Sequence, residues 1–169
     1  MRERITFREI EKADDERLAR IIRENLEAYH LDIPGTAYFD DSLDHLSEYY
    51  LGALDRKYYV VEADGEVVGG VGFQQLDFMD DTAELQKLYL RDDVKGQGIS
   101  YEMMKYIEAR AFEMGFTQMY LETHSNLVPA MNLYEKCGYH LIEKPVEVVH
   151  SAMDRFYLKN LLPVEEIEL

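Results

Sequence analysis

The stretch AELQKLYLRDDVKGQGIS, from Ala83 to Ser100, decides how this chain folds. Ala83 to Leu90 reads as an apolar strand, Arg91 to Val94 as a short turn, and Lys95-Gly96-Gln97-Gly98-Ile99-Ser100 as a glycine loop. A helix follows at once, because Ile99, Met103, Ile107, Ala111 and Met114 recur at helical spacing and Gly115 suits its C′ position. The first N–H groups of a helix have no partner within it, and the helix dipole adds partial positive charge there. A loop and helix start of this kind form a site for a diphosphate.

Downstream, Gln118 to Thr123 returns as a strand, which makes a strand–loop–helix–strand unit with a parallel pair. Val128 to Lys136 reads as a further helix with Pro129 near its start and Gly138 closing it; Tyr139 to Glu143 and Met153 to Lys159 read as the last strands. Upstream, Ile5 to Ile10 alternates like a first strand, and Asp14 or Asp15 can cap a helix carrying Leu18, Ile21, Ile22 and Leu26 on one face. His30 to Asp41 reads as a loop with exposed Tyr38 and Phe39, and Ser42 to Leu51 as a short helix. Lys57 to Ala63 and Glu66 to Phe73 read as a hairpin turning at Asp64-Gly65, followed by an acidic turn from Asp77 to Thr82. With no repeat, low-complexity segment or linker, residues 1–169 read as a single domain, α/β or α+β in class.

Composition sets limits on function. The net charge is -16, which argues against nucleic acid as a partner. No apolar run approaches the roughly 18 residues of a membrane span, and Met1-Arg2-Glu3-Arg4 leads straight into a strand with no signal region. A single cysteine, Cys137, excludes an internal disulfide framework and points to a reducing cytoplasm. Between Glu24 and Asp55 stand Glu24, Glu27, Asp32, Asp40, Asp41, Asp44, Glu48 and Asp55, with no Lys or Arg. The glycine-loop region is locally neutral: Lys87, Arg91, Lys95, Lys105 and Arg110 balance Glu84, Asp92, Asp93, Glu102 and Glu108. The histidines His30, His45, His124, His140 and His150 show no metal-ligand spacing, so no metal is expected.

Two motifs together resemble the GCN5-related N-acetyltransferase (GNAT) family. The loop Lys95 to Ser100 is similar to the family's Arg/Gln-x-x-Gly-x-Gly/Ala, and Asn126 to Tyr139, NLVPAMNLYEKCGY, is similar to its Asn…Ala-x-x-Leu-Tyr-Glu-Lys-x-Gly-Phe signature. Lys95 replaces the usual Arg or Gln, Ser100 the last Gly or Ala, and Asn126 lies four residues before Ala130 where three is common. A phosphate-binding Walker loop would need Gly-Lys-Ser/Thr, and a dinucleotide fingerprint a third glycine near Met103; neither is present. The resemblance implies a mixed, mostly antiparallel sheet of six to seven strands with about four helices packed on both faces.

It also implies acetyl-CoA as co-substrate and a primary amine, on a small molecule or a peptide, as acceptor. Backbone of Leu88, Tyr89 and Leu90 would pair with the pantetheine amides, and Lys95, Gly96, Gln97, Gly98, Ile99 and Ser100 would hold the pyrophosphate. Asn126 and Asn132 are further donor-binding candidates. Tyr134, from Leu-Tyr-Glu-Lys, is the candidate general acid on the departing thiolate, against a plain core tyrosine. Glu84 is the candidate general base, against a salt bridge to Lys87 or a cap on the acidic turn. It precedes Leu88 by four residues, which in a regular strand sends both side chains to one face, with Gln86 beside them. Direct attack of amine on thioester needs no covalent enzyme intermediate, so Cys137 reads as structural.

The loop between the first two helices walls the acceptor site in this family. Here it spans Ile33 to Asp41, where carboxylates beside Tyr38 and Phe39 favour a cationic amine. A non-catalytic CoA-sensing module on the same fold is the alternative, and a longer acyl donor would depend on room near Phe73 and Leu88. Family members are often homodimers; the strand Met153 to Lys159 reads as an edge that could pair, and the acidic tail Glu165-Glu166-Ile167-Glu168 reads as frayed.

Overall fold

The computed structural model describes residues 4–149 and 151–163. The tail residues Glu165 to Glu168, the first three residues and His150 lie outside this range. Strands β1 (Ile5–Glu9), β2 (Arg56–Ala63), β3 (Glu66–Gln75), β4 (Thr82–Leu90), β5 (Gln118–Thr123), β6 (His140–Ile142) and β7 (Arg155–Asn160) form one sheet in the order β1-β2-β3-β4-β5-β7-β6. Only the β4–β5 pair is parallel. Helices α1 (Asp15–Ala28), α2 (Leu46–Leu51), α3 (Ile99–Glu113) and α4 (Val128–Lys136) complete the layers. Among the described residues no helix is long and apolar enough to cross a membrane.

Both sheet faces are covered, which is why β2 reads as a continuous apolar run. Its residues alternate between two cores: Tyr58 and Val60 pack with Leu18, Ile22 and Leu26 of α1 and Tyr50 of α2, whereas Tyr59 and Val61 join Met103 and Ile107 of α3. The aspartates expected to cap α1 serve elsewhere. Asp14 accepts from Arg8 at 2.8 and 2.9 Å and from the Glu11 backbone N–H at 2.8 Å. Asp15 accepts from the Ser47 N–H and hydroxyl at 2.8 and 2.7 Å, tying α1 to the buried side of α2. A short side chain bonds whichever donor the tertiary fold brings near, and here two ready donors outcompete the helix end.

A second correction concerns β7, which lies inside the sheet between β5 and β6. The edges are β1 and β6. The last strand of the chain inserts itself next to β5 over six residue pairs, leaving the three-residue β6 outside.

A third correction concerns strand parity. Gln86 faces Gly72 and Tyr89 faces Gly70, so Lys87 and Leu88 share Val71 as their partner in a bulge, with Lys87 at φ 51°. Ala83 and Leu85 point to the α3 core, and after the extra residue so do Leu88 and Leu90, while Tyr89 points to the α1 core. Glu84 and Leu88 therefore leave β4 on opposite faces. The bulge is held from behind by Tyr58, whose hydroxyl donates to the Lys87 carbonyl at 2.8 Å. Its ring lies across the glycines of β3: a Cβ on Gly70 would sit 2.6 Å from the hydroxyl, and one on Gly72 2.6 Å from a ring carbon.

This packing predicts a coupled pair. Gly70→Ala should lose about 1–3 kcal/mol in chemical denaturation through overpacking. Combining it with Tyr58→Leu should recover part of that loss, so the two effects will be non-additive. Additive losses would show that the ring does not occupy the space over Gly70.

Candidate active site

β4 and β5 pair only from Thr82 opposite Gln118 to Glu84 opposite Tyr120. Beyond that point they separate, and a cavity of about 850 Å³ opens between them. Its walls are Glu84 to Leu90 of β4, Leu121 to Thr123 of β5, the first turn of α3, one face of α4, and the loop after α1. Parting two paired strands inside a sheet leaves backbone groups facing the gap, and these suit an extended ligand bearing amides.

At one end stands the glycine loop. Gly96 and Gly98 have φ of 83° and 79°, a left-handed backbone that glycine adopts without cost, and nothing lies within 4 Å of where a Cβ would be on either. Among the described residues, no protein acceptor takes the backbone N–H of Gly96, Gln97, Gly98, Ile99, Ser100 or Tyr101. Consecutive free amides at the start of a 15-residue helix fit a diphosphate. Lys95 lines the cavity beside them, its ammonium bonded to Asn25 Oδ1 at 2.9 Å and paired with Asp92 at 3.0 Å. Asn25 in turn donates to the Leu90 carbonyl at 3.0 Å, joining α1 to the end of β4.

Glu84 sits where the strands part. Burial above all, with the charges of Glu122 and Asp77, pushes its carboxyl up from an ordinary 4.5 to about 7 against the opposing hydrogen bond from Gln86 and charge of Lys87. Gln86 donates to Glu84 at 3.1 Å and is itself oriented by the Tyr50 hydroxyl at 2.7 Å. Glu84 makes no salt bridge with Lys87, whose ammonium reaches across to Asp40 at 3.1 Å.

Tyr134 lines the cavity from α4 and is 6 % exposed. Its hydroxyl has no hydrogen-bond partner among the described residues, and burial, with Tyr89 and Cys137 nearby, raises the phenol so that it stays protonated. Asn132 also lines the cavity, whereas Gln97 and Asn126 lie off its wall. The Asn126 carboxamide donates to the Tyr29 carbonyl at 3.1 Å. Burial and the Glu108 carboxylate push the half-buried Cys137 thiol up to about 11, unsuited to a nucleophile. Among the described residues no group of three or more His, Cys, Asp or Glu gathers to hold a metal ion.

The loop after α1 contributes Gly35, Thr36, Ala37 and Asp40 to the wall. Tyr29, just past α1, lines the cavity, but the two aromatics expected there do not: Phe39 is exposed, and Tyr38 is half-buried with its hydroxyl on Glu27 at 2.6 Å. Phe73 is fully buried against Phe116 and is also off the wall. Sequence reasoning missed Glu122, which faces the cavity and accepts from Tyr120 at 2.9 Å and Ser151 at 3.1 Å. A glutamate in a strand carries no signal until the neighbouring strand moves away from it.

A family model described as the acetyltransferase (GNAT) family matches residues 18–139. An uncharacterized N-acetyltransferase of Escherichia coli, YjgM, is 36% identical over 139 residues, which are 81% of this chain and 83% of that protein. The fold is similar to that of PaiA N-acetyltransferase from Thermoplasma acidophilum in complex with coenzyme A, with TM-score 0.74, 18% identity, and 93% and 99% of the two chains covered. It is similar also to YncA of Salmonella typhimurium with acetyl-CoA, with TM-score 0.72, 21% identity and 94% of each chain covered.

The raised Glu84 carboxyl has a stability consequence of definite sign. Folded Glu84 binds its proton more tightly than unfolded Glu84, so stability falls as pH rises from the unfolded value near 4.5 through the folded value near 7. Glu84→Gln removes that term. Its stability relative to the parent should therefore rise between pH 5 and pH 8, by at most roughly 3 kcal/mol. Urea melts at the two pH values measure this, and a pH-independent difference would contradict it.

Proposed function

Since this chain belongs to the GNAT family, and is thus an acyl-CoA-dependent N-acetyltransferase with acetyl-CoA as co-substrate, we propose that it acetylates a primary, cationic amine by direct attack, with Glu84 as general base and Tyr134 as general acid. The observation that carries this reading is a single cavity lined by a carboxyl poised near neutrality, an unpartnered phenol and a run of free amides. The unit proposed to do this is residues 1–169 as one domain.

Bound acetyl-CoA supplies an activated acetyl group on sulfur. The amides from Gly96 to Ser100 would grip its diphosphate, and backbone of Leu88 to Leu90 would hold the arm along the gap between β4 and β5. An alkylamine with a pKa near 10 arrives mostly protonated, and nitrogen cannot attack until a proton leaves. Glu84 takes that proton, directly or through a water, and Gln86 orients the carboxylate by donating to its Oε1. Tyr134 keeps its proton at neutral pH and gives it to the sulfur as the C–S bond breaks. Lys95 and Lys136 line the cavity at its glycine-loop end, whereas Glu84, Glu122 and Asp40 face it elsewhere with Lys87 as the opposing cation, so charge on that part of the wall favours a cationic acceptor. The loop aromatics add nothing to this selection because they point elsewhere.

Tyr134→Phe should lower kcat about 100-fold while the CoA dissociation constant stays within about twofold. Parallel loss of CoA binding would instead mark Tyr134 as structural. Because the deprotonated form of Glu84 is the active one, kcat/KM should rise with pH through about 7, and Glu84→Gln should abolish that limb along with about 100-fold or more of the rate. An amine panel tests the acceptor: spermidine and other polycations should outperform neutral or acidic amino acids, and the reverse order would overturn the cationic assignment.

A further inference from the structure

The cavity continues past the free amides to a cluster that the proposed chemistry does not use. Tyr101, in the first turn of α3, and Lys136, at the end of α4, both line it. The Lys136 ammonium lies 5.6 Å from the centroid of the Tyr101 ring, and Lys105, one turn further along α3, places its own at 5.8 Å. Tyr101 is 39% exposed, Lys136 is exposed and Lys105 is half-buried just outside the cavity wall, so the ring and Lys136 are open to a ligand with Lys105 beside them. Two like charges gathered at one ring repel each other, and the ring quadrupole offsets only part of that. They gather here in a chain whose net charge is -16. A multiply charged anion beside them would remove the repulsion, and the positive field of the two ammonium groups stands out locally against the acidic surface.

The position of the cluster selects the anion. Pro129, Asn132 and Lys136 lie along one face of α4 toward the cavity, and Ser100 and Tyr101 form the facing wall directly after the glycine loop. A diphosphate on the amides of Gly96 to Ser100 places the adenosine of coenzyme A directly beyond it, with the adenine and the 3′-phosphate on the far side of one ribose. A phosphate monoester carries close to two charges at neutral pH and binds ammonium groups strongly, and a purine can lie against an exposed aromatic ring. We propose that Tyr101, Lys105 and Lys136 form a recognition site for the 3′-phosphoadenosine end of the donor, so that the enzyme prefers coenzyme A thioesters to their 3′-dephospho counterparts. This rests on the acetyltransferase reading above.

Rates with acetyl-CoA and 3′-dephospho-acetyl-CoA test it. The parent protein should favour acetyl-CoA by about tenfold or more in kcat/KM, with the difference in KM and not in kcat, and the preference should shrink as salt rises. In the Lys105→Gln/Lys136→Gln double variant the ratio should collapse to near one. A parent ratio near one, or a ratio that survives in the double variant, overturns the site. Calorimetry of the parent with CoA and dephospho-CoA needs no variant and separates the two readings. Equal binding of both ligands removes this site alone, whereas no binding of either removes the acetyltransferase reading with it.

Discussion

The site depends on a limit to strand pairing. β4 and β5 share three residue pairs and then diverge, and the divergence opens the cavity, frees the backbone on its walls and turns Glu84 and Glu122 toward a common space. A sheet normally satisfies its N–H and C=O groups internally, so a gap of this kind is held open by what packs around it. The bulge at Lys87 reinforces it, because the extra residue bends β4 and reverses the facing of everything after it. Tyr58 holds that bulge by its hydroxyl, and β3 carries glycines where the ring crosses.

Electrostatics then divides the cavity. The donor end combines partial positive charge from the α3 N-terminus with Lys95 and, beyond the loop, Lys136. The other end collects Glu84, Glu122 and Asp40, with Lys87 tied to Asp40. This division of charge is what supports the proposal of an anionic donor at one end and a cationic acceptor at the other. Burial also sets the carboxyl of Glu84, the proposed base. The same desolvation that would weaken the folded state at high pH brings its carboxyl near neutrality, where proton transfer is most effective.

The four helices, the hairpin of β2 and β3 and the parallel pair of β4 and β5 were legible in the chain because amphipathic spacing, glycine stops and the Asp64-Gly65 turn are local signals; the pairings of β1 with β2 and of β3 with β4 were not. The glycine loop and Tyr134 could be singled out as candidates because the glycine pattern and the Leu-Tyr-Glu-Lys signature involve residues close in sequence, and both line the cavity. Several assignments needed more. Asp14 and Asp15 hold Arg8 and Ser47 and not a helix end; Glu84 and Leu88 part company at a bulge that no residue type announces; and Tyr38 and Phe39 face away from the cavity their loop helps to wall.

By itself, then, the sequence determined the elements, the glycine loop at the start of α3 and the residue types available for acid–base chemistry, all set by interactions within a few residues of one another. Tertiary structure alone decided that β7 enters between β5 and β6, that Glu122 joins Glu84, and that Tyr101, Lys105 and Lys136 converge. Each of these depends on where strands pair and where they stop. That is settled by the competition among all segments for hydrogen-bonded neighbours and buried surface, which no local stretch of sequence encodes.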